Sequence, residues 1–328
     1  MNRLSGEDRL LHWLRTRLEE PLIGDDAAVL PAGEPFAVTV DSQIEGVHFP
    51  AWLDASTLAR RLLAVNLSDL AAMGASPAYA FLALSAAPGF DHERFFLSLA
   101  AACRPHRLRL AGGDLAKSPH GTIATLTLLG TKPEENRWLR RDGAVPGHGL
   151  WLGGTVGESA AGRLLIDRGA RLTRSKVELP EALRGLAGAA RNAVRRHLLP
   201  EPQLALGAWL GEQKEGAPIA AMDVSDGVAR DLHRLCRASA VGAEIDAAAL
   251  PLSDRFEDLC KRIEADPLTL ALTGGEDYVL LFTLPAGLSP PASFACRRIG
   301  TITKRQKVAL IQDGVSRKLA DRGWDHLL

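Results

Sequence analysis

Short apolar segments alternate along this chain with longer amphipathic stretches, and this alternation constrains the fold more than any other feature. The segments at 36–41 (FAVTVD), 78–86 (AYAFLALSA) and 121–131 (GTIATLTLLGT) are typical of buried strands. Residues 54–74 have the apolar spacing, the capping residues and the final glycine of a helix. Strands that alternate with helices predict an α/β or α+β fold.

A polar loop divides the chain into two parts. Residues 133–149 (PEENRWLRRDGAVPGHG) are charged and rich in Gly and Pro, and we place a domain boundary at 146–149. This predicts an N-terminal domain over 1–147 and a C-terminal domain over 148–328, sizes that are common for domains. The second domain begins with a strand, a glycine-rich turn at 153–157 and a helix, and the amides of that turn could cradle a phosphate.

The bulk composition excludes several classes of partner. Lys+Arg and Asp+Glu both number 39, so the formal net charge is zero, and neither nucleic acid nor an anionic membrane is expected as a partner. The four cysteines are not at C-x-x-C spacing, so we expect a reduced, cytoplasmic protein without a zinc site. The charged, amphipathic stretch 1–20 lacks the apolar core of a secretory signal, and no apolar run has the length needed to span a bilayer.

Acidic residues recur at the ends of predicted strands and beside glycine or serine. At such places α/β proteins usually bind ligands, although Asp is also an ordinary helix cap and turn residue. For Asp226, capping of the following helix is the competing interpretation. The acids of this pattern are Asp25, Asp26, Asp41, Asp69, Asp114, Asp223, Asp226, Glu276 and Asp277.

Carboxylates that converge in a fold repel one another and require cations. Hard divalent cations with oxygen ligands, Mg²⁺ foremost, meet this requirement and commonly hold phosphates. The usual nucleotide motifs are absent, since GGDLAKS at 112–118 lacks the glycine that a P-loop has before its Lys. No histidine pairs with a serine or cysteine nucleophile, so we predict no catalytic base or nucleophile from the protein. An acceptor that is itself a phosphate monoester is already ionised at neutral pH and needs none.

Seven segments in sequence order give the chain a specific resemblance. IGDDAAV, TVDSQIEGVHF, NLSDLAAMGA, GGD, MDVSDGVARDL, GGEDYVLLFT and GWDHL together resemble the thiamine-monophosphate kinase family, which shares a superfamily with aminoimidazole ribonucleotide synthetase. The resemblance implies an N-terminal domain whose strands join those of a second subunit in a barrel-like homodimer. It also implies a C-terminal α/β domain, with the active site in the cleft between the two. The implied reaction is direct in-line transfer from ATP to thiamine monophosphate, assisted by several Mg²⁺ ions.

The resemblance also implies roles for individual residues. The implied metal ligands are Asp26, Thr39, Val40, Asp41, Asp69, Asp114, Asp223 and Asp226. The implied ATP contacts are Gly113, Arg141 and Ser225, and the implied contacts to the acceptor are His48, Glu276 and Trp324. Val40 has no side-chain oxygen, so only its backbone could ligate a metal. The chain departs from the family after GGD, where Leu115 and Ala116 replace two common threonines.

Two alternatives stay open at the level of sequence. The first is another enzyme of the same superfamily, with aminoimidazole ribonucleotide synthetase the nearest. The second is a catalytically silent module that binds Mg²⁺ and a nucleotide. Selenophosphate synthetase is disfavoured because the chain has no reactive cysteine or nearby lysine within a glycine-rich N-terminal segment.

Overall fold

The structure is a computed structural model that describes residues 28–30, 35–173, 176–213 and 218–325. The strands are β1 (Ala28–Leu30), β2 (Phe36–Ile44), β3 (Ser76–Ala86), β4 (Arg109–Lys117), β5 (Ile123–Thr131), β6 (Gly149–Leu152), β7 (Arg171–Thr173), β8 (Lys176–Glu178), β9 (Ala221–Asp223), β10 (Gly242–Asp246), β11 (Leu280–Leu284), β12 (Arg297–Thr303), β13 (Val308–Gln312) and β14 (Val315–Lys318). The helices are α1 (Ala55–Ala72), α2 (His92–Cys103), α3 (Glu158–Asp167), α4 (Ala187–Leu198), α5 (Leu204–Glu212), α6 (Val228–Ala238), α7 (Phe256–Arg262) and α8 (Pro267–Thr273). The predicted mixed α/β class is confirmed. The amphipathic segment predicted at 1–20 lies outside the described residues.

The first sheet contains β1 to β5 in the order β1-β2-β5-β3-β4. Its strands are antiparallel except for β3 and β4, which run parallel. Along β5, buried residues alternate with more exposed ones, as expected for a sheet that is covered on one face. Helix α1 covers that face, and α2 packs on α1.

Helix α1 is the central element of the fold. The Asp54 side chain caps it by accepting hydrogen bonds from the amides of Ser56 (3.0 Å) and Thr57 (3.2 Å). The helix ends before Gly74, whose φ of 67° favours glycine. Fifteen of its 18 residues are buried, so it is enclosed on nearly all sides.

The second sheet brings together strands from the rest of the chain. Its order is β14-β13-β10-β12-β6-β11-β9, and β6, β11 and β9 form adjacent antiparallel pairs. The strand β9 and helix α5 both contact α1, the helix that covers the first sheet. A Cβ on Gly207 of α5 would lie 2.0 Å from the Ala71 carbonyl oxygen, so the two helices touch through their backbones. The two sheets are therefore joined across α1.

Two expectations about chain organisation have different outcomes. Asp41 and Asp114 were expected at strand ends, but they lie inside β2 and β4, because strand pairing continues past them. Asp69 lies inside α1, in agreement with the helix predicted at 54–74. Asp223 does end its strand, β9. The boundary at 146–149 falls between the last strand of the first sheet and β6, and it stays a prediction. No helix in the described part of the chain is long and apolar enough to cross a membrane.

Candidate active site

Three successive contacts join β2 to α1 and build one wall of the site. The Thr39 hydroxyl donates a hydrogen bond to the Asp69 carboxylate. The Asp41 amide donates to the Asn66 side-chain oxygen at 3.1 Å. The Arg61 Nε donates to the Gln43 side-chain oxygen at 2.7 Å. Because residues at positions 39, 41 and 43 share one face of the strand, their side chains all face α1.

The loop after α8 forms the opposite wall. Its residues Gly275 (φ 70°), Glu276 (φ 56°) and Tyr278 (φ 51°) all have left-handed backbone conformations. The Glu276 amide donates to the Ser225 carbonyl at 2.7 Å, and the Tyr278 amide donates to the Val224 carbonyl at 2.9 Å. A non-glycine residue with this φ is strained, and such strain concentrates at functional sites.

Tyr278 is a buried residue of this loop. Burial raises the pKa of Tyr278 well above its ordinary value, and Glu276, Asp41 and Asp223 raise it further. Arg61 opposes them by lowering this pKa. The charged groups that influence this pKa come from β2, β9, α1 and the loop itself.

Helix α1 also reaches the end of β9. The Ser68 hydroxyl donates to the Asp223 carboxylate at 2.8 Å. Asp223 is only 2% exposed, and this hydrogen bond offsets part of the cost of burying its charge. The strand and the helix thus place Asp69 and Asp223 on neighbouring segments.

Asp226 has a cationic partner and is not the cap of the helix that follows it. The helix α6 begins after Gly227 without a side-chain cap, whereas Asp231 accepts the amides of Asp226 (3.0 Å) and Gly227 (3.1 Å). Arg234 donates to the Asp226 carboxylate at 2.6 Å. Burial raises the pKa of Asp231 to about 7, Asp226 adds to this, and Arg234 and then Arg141 oppose it. Arg141 therefore lies within electrostatic reach of this corner.

The predicted acceptor contacts lie around the Glu276 carboxylate. Burial raises the pKa of Glu276, but Arg61, His197, His48 and Arg163 outweigh it and leave this pKa below its ordinary value. His48 is held in place by its Nδ1, which accepts a hydrogen bond from the Ile44 amide at 3.1 Å.

The third predicted acceptor contact belongs to the C-terminal segment. The Trp324 amide donates to the Asp226 carbonyl at 3.0 Å, which attaches this segment to the start of α6. The Arg163 guanidinium lies 5.5 Å from the centre of the Trp324 ring. Arg163 also contributes to the lowered pKa of Glu276.

Asp114 is separated from Asp41 within one chain. Asp114 pairs with Ala83, Ala83 pairs with Thr125, and Thr125 pairs with Ser42, the neighbour of Asp41. Directly paired residues share a face of the sheet. Asp114 therefore points to the face opposite that of Asp41. Three strand spacings separate their strands, which amounts to about 14 Å.

Two other predicted site residues, Gly113 and Val40, also lie in the first sheet. The Gly113 backbone passes close to β3, because a Cβ on it would lie 1.8 Å from the Leu82 carbonyl oxygen. The Val40 side chain is 58% exposed. Asp26, the remaining predicted ligand, lies outside the described residues.

Three amides of the glycine-rich turn at 153–157 already have partners, since Gly153 donates to the Leu280 carbonyl, Val156 to the Pro251 carbonyl and Gly157 to Asp277. The Asp277 carboxylate accepts hydrogen bonds from the amides of Gly157 (2.8 Å) and Ser159 (3.3 Å) at the start of α3. The carboxylate thus occupies the position that an anionic ligand would take. Burial raises the pKa of Asp277 to about 7.

The donors at the site are those that Mg²⁺ prefers, but they are not grouped tightly. Within 35–173, 176–213 and 218–325, no three His, Cys, Asp or Glu side chains form a group that could hold a metal ion. Asp69, Asp223 and Asp226 are instead held by a hydroxyl, a hydroxyl and a guanidinium. Carboxylate and hydroxyl oxygens suit a hard divalent cation, so the donor types fit Mg²⁺.

Sequence reasoning missed three residues of the site, namely Arg61, His197 and Tyr278. One signal for Arg61 was available. It lies three residues after Leu58 and four before Val65, both of them core residues, so its position on the helix predicts burial. No comparable signal exists for His197 and Tyr278, because their partners come from distant segments.

Comparisons with known proteins agree with this architecture. The family models of the AIR synthase related protein match residues 24–131 with the N-terminal domain and 145–313 with the C-terminal domain. A curated thiamine-monophosphate kinase from Escherichia coli K12 is 36% identical over 330 residues, covering 95% of this chain and 93% of the relative.

Two solved structures match along almost the whole chain. AaThiL complexed with AMPPCP and TMP matches with a TM-score of 0.84 and 29% identity, covering 99% of each chain. Thiamine-monophosphate kinase from Stenotrophomonas maltophilia K279a matches with a TM-score of 0.73 and 34% identity, covering 97% of this chain and all of that one. On the shared sequence, the matched domains and the common fold, this chain belongs to the thiamine-monophosphate kinase family of AIR synthase related proteins.

Proposed function

We propose that the protein transfers the terminal phosphoryl group of ATP to thiamine monophosphate, which gives ADP and thiamine diphosphate. The observation that carries this proposal is the set of side-chain contacts that attaches β2, β9 and the loop after α8 to one helix, α1, namely Thr39 with Asp69, Ser68 with Asp223, and Arg61 with Glu276. These contacts support the proposal because predicted metal ligands and a predicted acceptor contact are all attached to α1. The E. coli relative has the corresponding name, and the related AaThiL structure contains both AMPPCP and TMP.

The acids of the site would hold Mg²⁺. Asp41, Asp69 and Asp223 supply carboxylates, Thr39 supplies a hydroxyl, and Val40 supplies only a backbone oxygen. Asp26, Asp114 and Asp226 complete the proposed set, although Asp226 is already neutralised by Arg234. When bound, Mg²⁺ neutralises phosphate charge that would otherwise keep two anions apart.

The protein's own groups would orient the two substrates. Arg141, Ser225 and the Gly113 backbone are proposed to contact ATP. The Arg141 guanidinium would add positive charge near the transferred group. Transfer is proposed to be direct and in line, because the acceptor phosphate is a ready nucleophile without a protein base.

The acceptor would bind in the corner formed by His48, Glu276 and Trp324. Thiamine monophosphate carries a cationic ring, and a carboxylate beside an indole face suits such a group. The Glu276 side chain is 23% exposed, so part of it is accessible to a ligand. Its low pKa keeps it negatively charged at neutral pH.

We propose that the active form is a homodimer in which the first sheets of two copies associate. The outer face of this sheet carries exposed apolar side chains, including Phe81 (40%), Ile123 (40%) and Val40 (58%). Exposed apolar patches of this kind are typical of interaction surfaces. All nine residues of the edge strand β4 are exposed. Asp114 points to the outer face, so a second copy is the way for it to reach acids such as Asp41.

The remaining predictions about organisation complete the proposal. The N-terminal domain, 1–147, would supply the dimer interface, and the C-terminal domain, 148–328, would complete the cleft. We place the protein in the cytoplasm. The cysteines Cys103, Cys236, Cys260 and Cys296 are free, which suits a reducing compartment.

The test is to incubate the protein with ATP, Mg²⁺ and thiamine monophosphate and to measure both products by chromatography. We expect ADP and thiamine diphosphate in equal amounts, and no products after EDTA is added. ADP formation with thiamine monophosphate is compared with ADP formation with the substrate of aminoimidazole ribonucleotide synthetase, which tests the nearest alternative enzyme. ATP binding without ADP formation in the presence of thiamine monophosphate would overturn the proposal.

A further inference from the structure

Arg61 is a fully buried cation with three acceptors from three parts of the chain. Its side chain is 0% exposed. It donates hydrogen bonds to the Gln43 side-chain oxygen on β2, to the His197 carbonyl at the end of α4, and to Glu276 Oε1. A buried arginine is stable only when it is paired in this way.

Glu276 is held on both of its oxygens. Arg61 binds Oε1, and His197 Nδ1 lies 3.4 Å from Oε2. Burial is the largest influence on His197 and lowers its pKa to about 4, so the ring is neutral at pH 7 and Arg61 supplies the positive charge of the group. The ring is fixed in turn by Ser159, whose hydroxyl lies 3.1 Å from Nδ1.

The two charged side chains differ in exposure. The Arg61 side chain is fully buried, whereas the Glu276 side chain that it binds is 23% exposed. The Glu276 backbone is strained, with a φ of 56°, so the residue needs a partner that holds it in this conformation. A charged side chain with a fixed, partly open face is organised before a ligand arrives.

We infer that Arg61 is a positioning residue that fixes the Glu276 carboxylate at the edge of the cleft, where it binds the cationic ring of the phosphate acceptor. This inference rests on the proposed function. Arg61 itself has no exposed surface and does not touch the acceptor. Its effect on acceptor binding must therefore pass through Glu276.

The experiment is a double-mutant cycle with R61M, E276Q and R61M/E276Q. The dissociation constant for thiamine monophosphate is measured by calorimetry, and the KM values for both substrates are measured by turnover. We expect each single variant to weaken acceptor binding by about tenfold or more, with the KM for ATP changed by less than about twofold. Since Arg61 acts through Glu276, the double variant should match E276Q within about twofold.

R61K provides the second test if R61M does not fold. Lysine keeps the charge but has no planar fork for three acceptors, so acceptor binding should fall between wild type and R61M. R168M is the matched control. Arg168 follows the last residue of α3 and donates hydrogen bonds to the carbonyls of Leu164 and Ile263, not to a predicted site residue. It should leave both substrate affinities unchanged.

The outcomes separate this inference from the proposed function. Three results would overturn the positioning role. The first is a double variant in which the two single losses of acceptor affinity multiply. The others are unchanged acceptor binding in both R61K and R61M, and an equal loss of affinity for both substrates. Failure of the wild type to form thiamine diphosphate while it still binds thiamine monophosphate would overturn the proposed function. The calorimetric cycle would remain readable in that case.

Discussion

The Ser68 hydroxyl donates a 2.8 Å hydrogen bond to the Asp223 carboxylate, which joins two residues that are 155 positions apart. It connects α1, the helix that covers the first sheet, to β9, an edge strand of the second sheet. Asp223→Asn should keep this hydrogen bond, because the amide oxygen can still accept. We therefore expect turnover to fall by about 100-fold or more while the melting temperature changes little. Ser68→Ala keeps the carboxylate, so its turnover should fall by less than about tenfold. Equal losses of turnover in the two variants would contradict a metal role for Asp223.

Asp41→Asn tests the acid on β2. The amide removes a negative charge but keeps the size of the side chain, so Mg²⁺-dependent turnover should fall by orders of magnitude in a folded protein. Titration with Mg²⁺ measures the change. The matched control is Asp313→Asn, an exposed turn residue with a φ of 52° that asparagine tolerates. Near-normal activity of the Asp41 variant would reject its role.

Adjacent glycines of the GGD motif should respond differently to alanine. In Gly113→Ala the new Cβ would lie 1.8 Å from the Leu82 carbonyl oxygen, so β3 and β4 could not keep their pairing. We expect the free energy of unfolding to fall by on the order of 2 kcal/mol or more. In Gly112→Ala the nearest atom is a Phe81 side-chain carbon at 3.5 Å, and stability should be nearly unchanged. Denaturant unfolding of both variants decides the matter.

His197 predicts a loss of stability in acid. Burial lowers its pKa to about 4, whereas its ordinary value is 6.5. Between these values the unfolded chain takes up a proton that the folded protein excludes, so its stabilising effect is complete above pH 6.5 and is lost as pH falls towards 4. The slope is at most about 1.4 kcal/mol per pH unit.

The comparison variant is His197→Asn, which has no titrating ring. The difference in unfolding free energy between the wild type and this variant should shrink as the pH is lowered from 7 to 4. Asp277, whose pKa is raised, has the opposite slope in this range, but it is present in both proteins and cancels. A difference that stays constant with pH would show that His197 is protonated as readily in the folded protein.

Mixing two inactive variants tests whether the site spans two copies. If Asp114 serves the site of the other subunit, Asp41→Asn and Asp114→Asn should complement each other when their subunits exchange. Random pairing restores one site in each mixed dimer, which is about a quarter of wild-type activity. Asp41→Asn mixed with Asp223→Asn should stay inactive, because these acids act within one chain. Verified subunit exchange without recovery would contradict the shared site.

Local features of the sequence were enough to predict the helices and strands around the site. The predicted helix at 54–74 is present as Ala55–Ala72, and of its two candidate caps, Asp54 and Ser56, it is Asp54 that caps it. The strands at 36–41 and 121–131 are present, the first of them longer than predicted. Caps, stop glycines and apolar periodicity act within a few residues, so a linear pattern contains them.

The surroundings of individual acids were less predictable. Asp277 belongs to the same acid pattern as Glu276, yet it caps a helix that begins 119 residues earlier in the chain, and Asp226 is paired with Arg234. The same type of side chain thus has a structural role at one position and a proposed functional role at the next. Which role an acid has depends on the donors that the fold places beside it.

The sequence alone determined the alternating α/β pattern, the acids available for chemistry and the family to which their order belongs. Only the tertiary structure decided that Arg61 is buried against Glu276, that Ser68 binds Asp223, and that Asp114 points to the face of the sheet opposite Asp41. The physical reason is range. Helix and strand signals depend on neighbours a few positions away, whereas burial, charge pairing and strand register depend on residues that the folded chain brings together from far apart.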